Sequence, residues 1–184
     1  KNKGVQVNIH TKVQRNIRRM EKVNTGMNVV YPTFWNMKYI SEKNYGRPRL
    51  INVSLHEPRV RQVYDQFFET MDNDDYEIIK IEAVQNQMLY DKYWNERESM
   101  IKLIGENCLN ERDLFHGTGH EEVMKLIETE GFRKEFNKTS KYGKGTYFAR
   151  DAKYSMNYSS RNNYGVMKMF QCRVICGESI IGDS

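Results

Sequence analysis

Leu114-Phe115-His116-Gly117-Thr118, followed a helix later by Tyr142-Gly143-Lys144-Gly145-Thr146-Tyr147-Phe148-Ala149 and then by Ser155 and Tyr158, is the stretch that decides how this chain reads. Leu114-Phe115-His116 reads as a short strand. Glu121 to Glu130 follows at helical spacing, with Val123, Leu126 and Ile127 inside and Gly131 as the left-handed stop. Tyr142–Gly145 is a glycine-punctuated loop, and Asp151 is placed to cap the helix that carries Tyr154, Ser155 and Tyr158.

Taken singly, these residues leave alternatives open. His116 reads as a structural histidine or as a ligand contact. The dense tyrosines Tyr142, Tyr147, Tyr154, Tyr158 and Tyr164 suit either core packing or a slot in which two rings sandwich a flat ligand. Lys144 is a phosphate ligand or a solvated loop charge. Two readings are excluded. Gly143-x-Gly145 lacks the third glycine of a dinucleotide fingerprint, since Phe148 stands there, and no βαβ unit follows. His116 and His120 share the spacing of a zinc helix, but Gly117 and Gly119 break the helix that spacing needs, so no metal site is expected.

Working outward, Ser54 with Glu57 has capping-box spacing and Pro58 suits a first helical turn, ahead of Val60, Val63, Tyr64, Phe67, Phe68 and Met71 at helical period. Tyr76–Val84 alternates as a strand. Asn86 caps a helix to about Ile104, with Leu89, Tyr93, Trp94, Ile101 and Ile104 as its buried side. Gly165–Cys176 alternates as a further strand. Near the start, Gly4–Arg19 reads as two short strands turning at Ile9–Lys12, and residues 20–50 as a linker anchored at Phe34-Trp35. Strands and helices do not alternate strictly, so the fold class is α+β.

The 184 residues are 39% hydrophobic and 29% charged, which fits a packed domain rather than disorder. Residues 1–22 hold seven of the 29 Lys+Arg and one of the 24 Asp+Glu, a local net of +6, which leaves −1 for the remainder. The main body therefore has no charge reason to bind nucleic acid, and any such binding belongs to regions outside this chain. No apolar run has membrane-spanning length and no membrane partner is expected. Cys108, Cys172 and Cys176 make no disulfide framework, which points to a reducing, intracellular setting in nucleus or cytoplasm.

The linked motifs, in this order and at these separations, resemble the NAD-binding signature of the poly(ADP-ribose) polymerase superfamily. The resemblance runs upstream through Val84-Gln85-Asn86 and downstream through Val166–Gly177, over roughly residues 50–184. It implies an ADP-ribosyltransferase fold with split antiparallel sheets and flanking helices, and transfer of ADP-ribose from NAD+ to protein acceptors with release of nicotinamide. It assigns His116 and Tyr147 as catalytic. For the co-substrate it assigns His116 to a ribose hydroxyl, Gly117 to the nicotinamide carboxamide, Ser155 to the same amide, Tyr147 and Tyr158 to the two ring faces, Thr118 to the adenosine ribose, and Ala149 to the same site.

Gly4–Arg19 is similar to the last hairpin of a WWE domain, a module that binds ADP-ribose units, with Gln6 and Arg15 at its ligand positions. This combination looks most like the CCCH zinc-finger subgroup that includes the TCDD-inducible member, which implies single-unit transfer. The expected organisation is a WWE hairpin over 1–20, a linker over 21–50 and the catalytic domain over 51–184. That domain is expected to be incomplete at its C-terminal end, because the family position bearing on polymer length falls past Ser184. The competing reading is a catalytically silent module that binds NAD or ADP-ribose.

Overall fold

The computed structural model describes the backbone of residues 3–11 and the chain over 29–133 and 145–178. Among the described residues the strands form one five-stranded sheet. In chain order they are β1 (Lys3–Thr11), β2 (Arg49–Asn52), β3 (Tyr76–Gln85), β4 (Glu111–Gly117) and β5 (Met167–Ile175), and their order across the sheet is β2-β3-β1-β5-β4. The helices are α1 (Pro58–Phe68), α2 (Gln87–Ile104), α3 (Glu121–Glu130) and the short α4 (Ala152–Met156). The class is α+β as expected. The expected split survives as two antiparallel pairs, β2 with β3 and β4 with β5, and β1 runs parallel to both β3 and β5 between them.

β5 shows why the sheet has two cores. Met167 and Met169 face one side and join Val60, Val63 and Phe67 of α1, Phe115 of β4, and Ala152 and Met156 of α4. Phe170, Cys172 and Val174 face the other side and join Met124 and Ile127 of α3, together with Phe132. A strand buried on both faces reads as nearly continuous apolar residues. Phe67, Phe115 and Phe170 are fully buried, each worth roughly 1.5–3 kcal/mol of transfer free energy.

Local chemistry explains where elements begin. Asn86 caps α2, its side-chain oxygen accepting from the Leu89 N–H at 3.2 Å. Its amide nitrogen donates to the Glu128 and Thr129 carbonyls at the end of α3, so one buried side chain closes one helix and opens another. Beside it, Gln85 pairs with the backbone of Asn36 through both ends of its amide, at 3.0 and 2.9 Å.

Several expectations need correction. The N-cap of α1 is Glu57, not Ser54, and no side chain caps it. Ser54 instead closes the turn before it, its hydroxyl accepting from the His56 N–H and its carbonyl from the Glu57 N–H. Ile104 is exposed, because α2 ends on the solvent side at Gly105. The turn expected at Ile9–Lys12 is not there as far as Thr11. β1 continues through those residues, because its backbone partners are the distant strands β3 and β5 and not the next residues in sequence. The supposed linker contains two 3-10 turns, buried Trp35 and the start of β2, which crosses the boundary expected at residue 50. The second half of the proposed hairpin, including Arg15, lies outside the described residues.

Candidate active site

The site is built along the edge of β4. Phe115 bonds outward to Ala149, its N–H donating to the Ala149 carbonyl at 2.7 Å and its own carbonyl accepting from the Ala149 N–H at 2.9 Å. The same Phe115 carbonyl accepts from the Ser155 hydroxyl at 3.0 Å. One backbone oxygen thus gathers two segments that lie far along the chain.

This arrangement fixes where Gly117 points. Backbone groups on an antiparallel strand alternate between a partner and the opposite edge. Phe115 is committed to Ala149, so His116 faces β5, and the N–H and C=O of Gly117 turn to the same edge as those of Phe115. A donor and an acceptor side by side on a strand edge complement a primary carboxamide. Gly117 also cannot carry a side chain here. A Cβ would stand 1.9 Å from the Ser155 carbonyl oxygen and 2.8 Å from the Ser159 hydroxyl. Crowding from the chain itself thus requires the glycine, over and above any need to admit a ligand.

His116 lies on the opposite face of β4 from Phe115, in an aromatic surround. Its ring meets Phe132 edge-on at 5.0 Å and Phe148 at 5.6 Å. Its Nδ1 is 2.8 Å from the Tyr147 carbonyl. A carbonyl can only accept, so Nδ1 carries the proton and Nε2 of the neutral ring is left as an acceptor. Burial pushes the imidazole below its ordinary value of 6.5, partly offset by the bond to Tyr147. The ring is therefore held neutral around neutral pH.

The predicted site residues His116, Gly117, Tyr147, Ala149 and Ser155 come together. Thr118 follows directly on Gly117 at the end of β4, and Tyr147 and Tyr158 are both exposed, at 39% and 59%. Tyr158 lies 5.7 Å from the ring of Tyr154, with 3.3 Å between their hydroxyls. Tyr142, Gly143 and Lys144 are outside the described residues, and Gln6 sits on β1, away from this edge.

Sequence reasoning missed Phe132 and Phe148 as the wall around His116. It also missed Asp113, which anchors β4 to α1 through paired bonds with Arg59 and reaches Arg173 at 3.4 Å. Phe148 takes its place beside His116 through the bridge of the adjoining Ala149 to Phe115, a pairing that only the folded chain shows. Phe132 gave no signal in the sequence. A cavity of about 280 Å³ lies beside Tyr39, Arg47 and Gln87, and one of about 350 Å³ lies against the first half of β4, lined by Arg112, Asp113 and Leu114 with Gln66, Glu69 and Arg150. Among the described residues no cluster of His, Cys, Asp and Glu is disposed to hold a metal ion.

Residues 59–182 match the poly(ADP-ribose) polymerase catalytic domain. The chain belongs to the poly(ADP-ribose) polymerase family. It is 35% identical over 155 residues to a "probable poly [ADP-ribose] polymerase" of Dictyostelium discoideum, covering 82% of this chain and 45% of that protein. It is 32% identical over 154 residues to human protein mono-ADP-ribosyltransferase PARP12, covering 83% of this chain and 21% of the relative. Human protein mono-ADP-ribosyltransferase PARP14 is 34% identical over 125 residues, covering 66% of this chain and 7% of the relative. The chain thus spans less than half the length of these relatives.

Proposed function

We propose that this chain is the catalytic part of an NAD-dependent protein ADP-ribosyltransferase that adds single ADP-ribose units. The observation that carries the reading is the β4 edge: Gly117 offers N–H and C=O together, beside Ser155 and a neutral His116. NAD+ supplies a ribose whose bond to nicotinamide breaks through an oxocarbenium-like state. The protein's work is then positioning and electrostatics rather than covalent chemistry. Gly117 holds the carboxamide, Ser155 helps orient it, and Nε2 of His116 accepts from a ribose hydroxyl. Tyr147 and Tyr158 swing over the two ring faces, and Thr118 contacts the adenosine side. Ala149 holds the segment of Tyr147 in place through its ladder bonds to Phe115.

Single-unit transfer is supported by the likeness to two human proteins named mono-ADP-ribosyltransferases. The acceptors are proteins, and the setting is intracellular, in line with a thiol-bearing chain whose Cys172 is buried and held protonated by that burial. Membership of the zinc-finger subgroup and descent of the first residues from a WWE module rest on the residue pattern alone. The place of β1 in the sheet supports a structural role for residues 3–11 beside any ADP-ribose contact by Gln6.

The test is incubation of the full-length protein with labelled NAD+, beside His116→Ala and Tyr147→Ala. Single labels on protein that vanish in the variants are expected. A folded wild type that labels nothing defeats the transferase reading in favour of a silent binding module, and long labelled chains defeat the single-unit reading.

A further inference from the structure

Asn44-Tyr45-Gly46-Arg47 is a tight turn that leads into β2. Tyr45 has φ −59° and ψ 126°, Gly46 has φ +77°, and the Arg47 N–H donates to the Asn44 carbonyl at 2.9 Å, which is the type II arrangement. Pro48 follows and stiffens the run. Together with Tyr39, Arg49, Gln85 and Gln87, this turn lines the cavity of about 280 Å³. Arg59, Arg61, Arg97 and Arg173 each meet a carboxylate elsewhere in the fold. Arg47 and Arg49 have no ion-pair partner among the described residues. Arg49 instead sits over the Tyr39 ring, 3.8 Å from its centroid. Residues 37–49 hold Lys38, Lys43, Arg47 and Arg49 against Glu42, a local net of +3. The Asn44 side chain donates to the Ser41 hydroxyl at 3.1 Å, which leaves its oxygen to accept from elsewhere.

We propose that this cavity binds a nucleoside monophosphate. The inference goes beyond the transferase reading and does not rest on it. β2 and β4 are the two edges of the sheet, so the cavity and Gly117 stand on opposite sides, roughly 19 Å apart across four strand spacings. Two guanidinium groups with no carboxylate of their own suit a doubly charged oxyanion, and their fork geometry matches phosphate. The Tyr39–Arg49 pair is a stacking platform for a flat base. The Asn44 oxygen is the acceptor for a base amine or a ribose hydroxyl. The turn presents these groups already ordered, so little freedom is lost when a ligand enters. The volume is near the lower bound of about 300 Å³ for small-ligand sites, which fits one nucleotide better than the whole of NAD+.

The experiment titrates the full-length protein with adenosine monophosphate (AMP) by calorimetry, with and without saturating NAD+. Wild type binds AMP in both conditions. Arg47→Gln weakens AMP by roughly tenfold or more, the worth of one charge-assisted hydrogen bond. Tyr39→Leu weakens it by about threefold, the worth of one exposed cation–π contact. Both side chains are exposed, so the variants keep the wild-type melting temperature. Phenyl phosphate keeps a ring and the monoester but lacks the ribose and the polar base edge, and it binds roughly tenfold more weakly than AMP. No heat with AMP, binding that NAD+ displaces, or binding that both variants leave unchanged overturns the proposal. Phenyl phosphate held as tightly as AMP also overturns it, in favour of a phosphotyrosine-type ligand. Lost NAD turnover with AMP binding kept sinks the transferase reading alone, and the reverse sinks this inference alone.

Discussion

The junction at Gln85–Asn86 and the edge at Phe115–Gly117 are both crossing points of distant segments, yet they keep opposite accounts of their polar groups. At the junction, both ends of each side-chain amide are used: Gln85 on Asn36, and Asn86 on Leu89, Glu128 and Thr129. At the edge, Phe115 is saturated, but Gly117 faces outward. A saturated crossing holds the fold, and one with spare capacity is equipped to receive something. Both lie within the resemblance that the sequence gives, so the sequence alone does not separate them.

The sharpest way to break this contrast is Gly117→Ala. The new methyl group collides with the Ser155 carbonyl, and the displacement should cost roughly 100-fold or more in kcat/KM for NAD, measured by labelled-NAD turnover. At the other crossing, Asn86→Ala strips a helix cap and leaves two carbonyls without their donor. A loss of about 2–3 kcal/mol in denaturant unfolding is expected, with the KM for NAD kept in the folded fraction. If Asn86→Ala instead raised KM while leaving stability alone, the division of labour would be reversed.

Tyr158→Ala tests the outer part of the edge. Loss of one stacking face should weaken NAD binding by about 1–3 kcal/mol, by analogy with base stacking, and should leave the melting temperature nearly unchanged because the ring is largely exposed. The smallest effect is pH dependence. His116 has a folded value depressed below its ordinary 6.5, so the unfolded chain binds the proton more readily. The stability this site contributes is full above about pH 6.5 and is lost as pH falls from there through the folded value. A His116→Gln variant should flatten that acid limb in melting scans between pH 5 and about pH 7, and an unchanged slope would remove His116 from the account.

Much of this was legible in the chain because local rules decided it. α2 declared itself by Asn86 and the core face of α1 by the spacing of Val60, Val63 and Phe67, whereas the alternation of Val166, Phe170, Cys172 and Val174 found the strand β5 but only one of its two buried faces. The start of α1 misled because Ser54 and Glu57 fit a capping box while the backbone turned first at Ser54. Phe132 gave no signal, since its role arises only when α3 is laid against β4. β1 was hardest to read. Alternation announced a strand, but nothing local says that its neighbours are Tyr76–Gln85 and Met167–Ile175.

That last placement has a kinetic side. β4 and β5 can pair as an antiparallel unit, and so can β2 and β3, each across a moderate stretch of chain. β1 must thread between these units and match Val5 with Ile78 on one side and Met167 on the other. Closing loops of that length is entropically expensive before the contacts repay it, and parallel pairing makes such steps slow. The two halves would then form as open-edged units, and β1, which precedes the other four described strands in the chain, would be the one that seals them together.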